Sequence, residues 1–269
     1  MNEIVYDIES DGFIFESTKI WTIVLKHKQT GQSLKVNPFK DTDAKKKVID
    51  FIFSFGECPT IAGHFILGFD NFVIRNLLGI DSTVGPDTLN GKPVQWVDTF
   101  YLSMYLNPDR MGHSIEWFGD KLGLEKIDWR GKAIELGLIE QTSPRGTEFM
   151  QRHPEMDTYC IRDVDVNILV LDRLKKEWES IYGVPFSHTQ AFKCGQKSFY
   201  LMSCQELAGW KFDLEEANKL APRIDAMMEE IRAEVEPKLP PRALKKGEEK
   251  EYTMPAKPFK KDGTFSATW

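Results

Sequence analysis

The sequence predicts an α/β fold: a mixed sheet with antiparallel first strands and parallel later ones, flanked by helices, with a helical extension toward the C-terminus. Three observations predict it. Short β-branched runs open the chain at 3–8, 20–27 and 33–37, with Thr30-Gly31 between the last two as a hairpin turn. From residue 43 onward, short apolar runs alternate with stretches whose apolar residues recur every three or four positions, which reads as strands interrupted by helices. After Pro237 the chain turns to Pro, Lys and Glu with few large apolar residues, too little to bury a core.

The elements follow in order. Val48, Ile49, Ile52 and Phe53, after a polar lead-in of Lys45-Lys46-Lys47, predict a helix over 43–55. Thr60 to His64 is a short strand, and Asp70 to Leu78 a helix with Asp70 and Asn71 in its first turn. Val94 to Val97 is a strand ending in Asp98. Helices follow over 99–106, stopped by Pro108, and over 114–122. Glu155 to Trp178 carries an apolar stripe of Cys160, Val164, Ile168, Leu171 and Leu174 and is the most regular helix of the chain. A last amphipathic helix runs from Asp213, its N-cap, to Glu236. The expected organisation is a catalytic-sized domain over 1–184, a helical extension over 185–236 and an extended tail over 237–269.

Composition sets limits. The chain has 269 residues, 41% hydrophobic and 28% charged, enough for one large α/β domain and an appendage. No apolar run is long enough to span a membrane, and the N-terminus lacks the basic and apolar regions of a secretory signal. Cys58, Cys160, Cys194 and Cys204 are scattered without a C-x-x-C pair, so free thiols in a reducing cytoplasm are expected. The net charge of −6 opposes a nucleic-acid partner unless part of it is neutralised by bound cations.

Several acidic positions invite that reading. Asp7 and Glu9 stand two apart on a strand, so alternation aims both at one face while Ile8 points into the core. They are either solvated acids at a strand end or a pair that holds hard divalent cations such as Mg²⁺ or Mn²⁺. Asp70 opens a helix after Gly63-His64-Phe65-Ile66-Leu67-Gly68-Phe69, where it is either an N-cap or a third acid of the same site. Tyr159 and Asp163 lie four apart on a helix and share a face. Asp157, Asp165 and Asp172 on the same helix leave open that Tyr159 and Asp163 are a surface pair.

In this order the motifs D-x-E, F-D and Y-x-x-x-D resemble the tyrosine-bearing branch of the DEDD exonuclease superfamily. Trp96-Val97-Asp98-Thr99 and His113-Ser114-Ile115-Glu116-Trp117-Phe118-Gly119 extend the likeness to the proofreading domains of bacteriophage T7-like family A DNA polymerases. Ala208-Gly209-Trp210-Lys211-Phe212-Asp213 and the helix after it resemble the connection to the thumb of those polymerases.

The resemblance implies a ribonuclease H-like sheet and a two-metal 3′→5′ exonuclease acting on single-stranded DNA and frayed 3′ ends. By it, Asp7, Glu9 and Asp163 hold the ion that activates water, Asp7 with Asp70 supports a second, and Tyr159 positions the water. It makes Ile8, His64 and Phe65 candidates for contact with the terminal nucleotide. It also implies a monomer in the cytoplasm of a bacterial host, with a polymerase portion of the same parent protein as a partner.

The sequence departs from the family at one point. Phe65 and Ile66 stand where an Asn is usual, although His64 is kept. Phe65 is either core or an aromatic face on which a base stacks. Lone His113 reads as structural, and Asp98 as a supporting acid at a strand end. The lysines of the tail, interspersed with Glu248, Glu249 and Glu251, read as a solvated linker. No polymerase palm follows, so a truncated or split polymerase is expected, or a stand-alone nuclease. An RNase of the same superfamily and a non-catalytic DNA-binding module are the competing functions.

Overall fold

In the computed structural model, strand β1 (Glu3–Ser10) is the middle of a five-stranded sheet ordered β3-β2-β1-β4-β8. Residues 2–84, 87–187 and 189–239 are described; the tail expected over 237–269 therefore falls outside them beyond residue 239. β2 (Ile20–His27) pairs antiparallel with β1, and β3 (Ser33–Val36) antiparallel with β2. β4 (Thr60–Gly63) and β8 (Gln95–Asp98) continue the sheet in parallel. The mixed sheet is the one the sequence predicts.

Alternation along β1 divides its side chains between two cores. Ile4, Tyr6 and Ile8 join Ile23, Leu25 and Ile61 on one face, packed against α1 (Ala44–Phe53) and α2 (Asp70–Leu78). Val5 joins Val24, Ala62 and Val97 on the other, under α3 (Thr99–Leu106), α4 (Ile115–Leu122) and α6 (Glu155–Tyr182). Both faces of the strand are covered, which accounts for its run of buried apolar residues. A register shift between Glu9 and Ser10 puts Ser10 opposite Ile20, so β2 carries one extra residue there. Such bulges re-aim the chain at the rim of a sheet.

Two pieces escaped the sequence pattern. Three two-residue strands, β5 (Ser82–Thr83), β6 (Thr88–Leu89) and β7 (Lys92–Pro93), form a small antiparallel sheet. α5 (Trp129–Glu135) is a two-turn helix capped by Asp128, which accepts from Gly131 N at 2.9 Å. Both are too short for periodicity to register.

The chain divides into two compact units, 1–210 and 211–269. The expected boundary at 184/185 is not where the contacts fall, because α7 (Gln190–Ala208) belongs to the first unit. Its Phe192 and Tyr200 enter the two cores. Its Gln196, almost wholly buried, accepts from Asp98 N at 3.0 Å and donates to Trp96 O at 3.0 Å. That side chain satisfies the outer edge of β8 as a neighbouring strand would. Of the second unit, α8 (Leu214–Val235) is a single helix whose N-cap Asp213 accepts from Glu216 N at 3.0 Å.

The turn that follows β4 is held by Asp98, which is fully buried. Its carboxylate accepts from Phe65 N at 3.1 Å, Leu67 N at 2.9 Å and Tyr101 N at 3.1 Å, fixing the turn and capping α3 together. Burial raises its pKa to about 6, and the backbone donors pull the other way. An amide in its place would turn an N–H group toward one of these donors and leave it without an acceptor. Asp98→Asn is therefore expected to cost about 1–3 kcal/mol of stability. Urea denaturation measures it, and an unchanged midpoint would remove Asp98 as the anchor of the turn.

Candidate active site

Asp7 and Glu9 leave β1 on the same face as Val5, toward α6. One ligand atom from each, with Cys160 Sγ, falls within a 4.8 Å group. Glu9 is buried and Asp7 half-buried. From α6, Tyr159 and Asp163 face them; both are buried, and the phenol opposes the rise in the pKa of Asp163. Asp70 is the first residue of α2, buried, and makes no capping bond; Phe69 occupies the N-cap. It therefore does not cap the helix. Tyr6 donates its hydroxyl to Asn71 Oδ1, which ties the first turn of α2 to β1.

The carboxylates feel one another. Burial is the first cause that raises Asp7, to about 7, and Asp163 adds to it while Lys126 opposes it. Glu9 is raised by burial and then by Asp7, and Asp70 likewise. Burial raises Asp163 as well, against the pull of Lys126. Lys126 Nζ lies 2.6 Å from Asp163 Oδ2 and 4.7 Å from the centre of the Tyr159 ring. Burial alone would lower the pKa of this lysine. Asp163, Asp7 and Glu9 overcome that and raise its pKa.

The remaining aspartates of α6 are paired elsewhere. Asp157 pairs with Lys35 at 2.8 Å and Arg152 at 2.8 Å, Asp165 with Lys26 at 2.7 Å, and Asp172 with Lys28. Asp163 alone of the four is turned inward to the β1 carboxylates.

The other candidates take varied places. Ile8 is core and also lines a cleft beside Glu9. His64 is held by Thr99, with Nδ1 and Oγ1 3.0 Å apart, and burial followed by the charge of Lys126 lowers its pKa to about 3. It is a neutral ring. Phe65 is exposed, whereas Ile66 and Leu67 are fully buried. His113 Nδ1 meets Ser103 Oγ at 2.8 Å, in keeping with a structural role.

Sequence reasoning missed three features. Lys126 lies in a stretch without periodicity, and one lysine among 35 basic residues carries no signal of its own. Phe13, in the loop after β1, is 70% exposed and lines the cleft. The opposite wall is the segment 144–150, the whole enclosing about 560 Å³. Arg130 pins that wall, donating to Ser143 O at 2.6 Å and Glu148 Oε2 at 3.1 Å. Trp21 and Trp129 donate to Phe149 O at 2.7 Å and Glu148 O at 2.9 Å. Only a spatial arrangement reveals these pairings, which join residues 13 to 128 positions apart.

The residues fit divalent cations. Asp7, Glu9 and Asp163 share the charge of Lys126, and Asp163 Oδ1 is buried without a partner. The donor set is oxygen, as Mg²⁺ or Mn²⁺ requires. Cys160 stands 3.5 Å from Asp7 Oδ2, but burial and then Asp7 push its thiol well above its usual range. A protonated thiol donates to Asp7 and is a poor ligand for a hard ion.

A carboxyl whose pKa is raised on folding holds its proton more tightly in the folded state. The stability it gives is full below the unfolded value, near 4, and is lost as pH rises through the folded value, near 7 for Asp7. Without metal, the melting temperature is expected to fall between about pH 4 and about pH 7, and Mg²⁺ or Mn²⁺ should restore it at the upper end. Calorimetry in EDTA checks this, and a flat or rising profile would show that the acids are not crowded.

No family model and no curated protein matches the chain. Among solved structures, it resembles the apo form of a nuclease at a TM-score of 0.53, with 15% identity over 79% of this chain and 88% of that one. It also resembles Brucella melitensis NrnC bound to pGG at a TM-score of 0.50, with 14% identity over 80% of this chain and 89% of that one. At such identity the likeness is one of fold: the chain has the mixed-sheet architecture of these nucleases, and its site was built above from its own residues.

Proposed function

We propose that the protein is a metal-dependent 3′→5′ exonuclease that removes nucleoside 5′-monophosphates from single-stranded DNA ends. The observation that carries the reading is the close approach of Asp7 and Glu9, with Asp163 and Asp70 near enough that their charges raise the pKa of one or both. Like charges held this close out of water are unfavourable unless cations join them. Asp7, Glu9 and Asp163 would hold one Mg²⁺ or Mn²⁺ and Asp7 with Asp70 a second, supplying the Lewis acidity and charge neutralisation of phosphodiester hydrolysis.

The chain's own groups do the rest. Tyr159 stays a neutral phenol, since burial and the neighbouring acids raise it far above its usual range. It cannot act as a base at neutral pH. One helical turn before Asp163 and on the same face, its hydroxyl is placed to hydrogen-bond the attacking water and so orient it. Lys126, drawn to Asp163 at 2.6 Å, brings a positive charge to where the phosphate would gain negative charge. The cleft beside Glu9 falls within the size range of small-ligand pockets and suits a terminal nucleotide, with Phe13 and Phe69 as apolar walls. A base must leave its duplex to enter it, so frayed or single-stranded ends are the substrate.

The choice of DNA and of a proofreading role rests on the family A likeness of Trp96–Thr99, His113–Gly119 and Ala208–Asp213. A polymerase portion is the partner that this likeness suggests. The resemblance in fold to NrnC, which was solved with pGG, supports a nucleic-acid end as the ligand.

A 5′-labelled single-stranded DNA oligonucleotide should shorten from its 3′ end in Mg²⁺ or Mn²⁺ and stay intact in EDTA. Asp7→Ala and Asp163→Ala are each expected to lower the rate by about 10³-fold or more, the scale of losing several kcal/mol of transition-state stabilisation. Tyr159→Phe should retain a remnant, down about 10²-fold, as for a misplaced water. A wild-type rate for Asp163→Ala would overturn the assignment of the third motif. Faster cleavage of a matched RNA would move the substrate to RNA, and no cleavage with any metal would leave a binding module.

A further inference from the structure

We propose that Phe65 is a stacking ledge for an unpaired nucleobase of the substrate strand, a grip this chain uses where its relatives by motif carry Asn. The inference rests on the nuclease reading above. Phe65 has φ +63°, in the left-handed region. A bulky side chain is strained there and persists only where its surroundings impose it. The surroundings are explicit: Asp98 accepts from Phe65 N and Leu67 N, and Phe65 O accepts from Gly68 N and Phe69 N at 3.0 Å each.

The strain does not serve the core. Ile66 and Leu67, next in the chain, are fully buried, while Phe65 is turned outward and remains 40% exposed. Its ring is nonetheless fixed. It lies over Gly68, where any Cβ would meet the ring at 2.4 Å. Phe100 and Phe199 abut it edgewise with centroids 5.4 and 5.9 Å away. The ring is thus buttressed below and at the sides and open above.

Its place is next to the reaction. β4 runs parallel to β1 with Ala62 beside Val5, which brings the residues after Gly63 alongside Asp7. Phe65 follows His64, which feels the charge of Lys126, and precedes Asp70 by five residues. A chain of net charge −6 has little electrostatic hold on phosphates. Stacking supplies a hold that ignores base identity and depends little on salt, on the order of 1–3 kcal/mol per base.

The test walks a single abasic nucleotide along a fluorescent single-stranded oligonucleotide and measures Kd by anisotropy, with Ca²⁺ in place of Mg²⁺. Wild-type protein should bind about 5- to 100-fold more weakly when the base is missing at one position near the 3′ end. Phe65→Ala and Phe65→Asn should show that loss with the intact strand and no further loss with the abasic one; Phe65→Trp should behave as wild type. Asn tolerates the left-handed region, so Phe65→Asn should melt no lower than wild type, which separates stacking from folding. Wild-type Kd in both variants, or an undiminished abasic effect, would overturn the proposal. Binding is read apart from turnover, so a protein that never cleaves would refute the nuclease reading while the Kd series still decides the role of Phe65.

Discussion

Carboxylates gathered around Asp7 and Glu9, close enough to raise one another's proton affinity, are the constraint around which this molecule is arranged. Asp7 and Glu9 are buried or half-buried at the end of the central strand, where Asp70 and Asp163 meet them from the starts and faces of two helices. Each raises the proton affinity of its neighbours, and Lys126 offsets only part of that. Such a cluster is stable only if the remainder of the fold over-determines it. The two cores on either side of β1 do so, as does the row of ion pairs that ties α6 to β2 and β3 through Asp157, Asp165 and Asp172.

The two flanks of the site are built differently. On one side, Arg130, Trp21 and Trp129 hold the segment 144–150 by bonds to its backbone, so a stretch with little regular structure becomes a firm wall. On the other, Asp98 fixes a tight turn and Thr99 holds His64. Both flanks put the cost of order into polar groups other than the clustered acids.

Much of this was legible in the sequence, and the reason is periodicity. β1 to β4, β8 and the long α6 are elements whose side chains face a continuous core, so alternation and the 3.6 repeat are written into them. The spacing of Asp7 and Glu9, and of Tyr159 and Asp163, placed each pair on one face before any coordinates were needed. The placement of α7 was not legible, because what binds it to the first unit is Gln196, a polar residue that no hydrophobic pattern marks. Lys126 was hidden for a related reason: a charge acquires meaning only from what folding brings beside it. Asp70 read equally well as a helix cap, and only the structure shows that it makes no capping bond.

Gln196 has a further consequence. In the order β3-β2-β1-β4-β8, β8 is a terminal strand, and terminal strands offer unpaired N–H and C=O groups to any extended chain that comes near. Here the amide of one buried side chain takes up the Asp98 N–H and the Trp96 C=O. The sheet is therefore closed at that border without an additional strand. Edge-to-edge growth into larger assemblies is blocked there by a single residue, and extension by strand addition is left to the opposite border at β3.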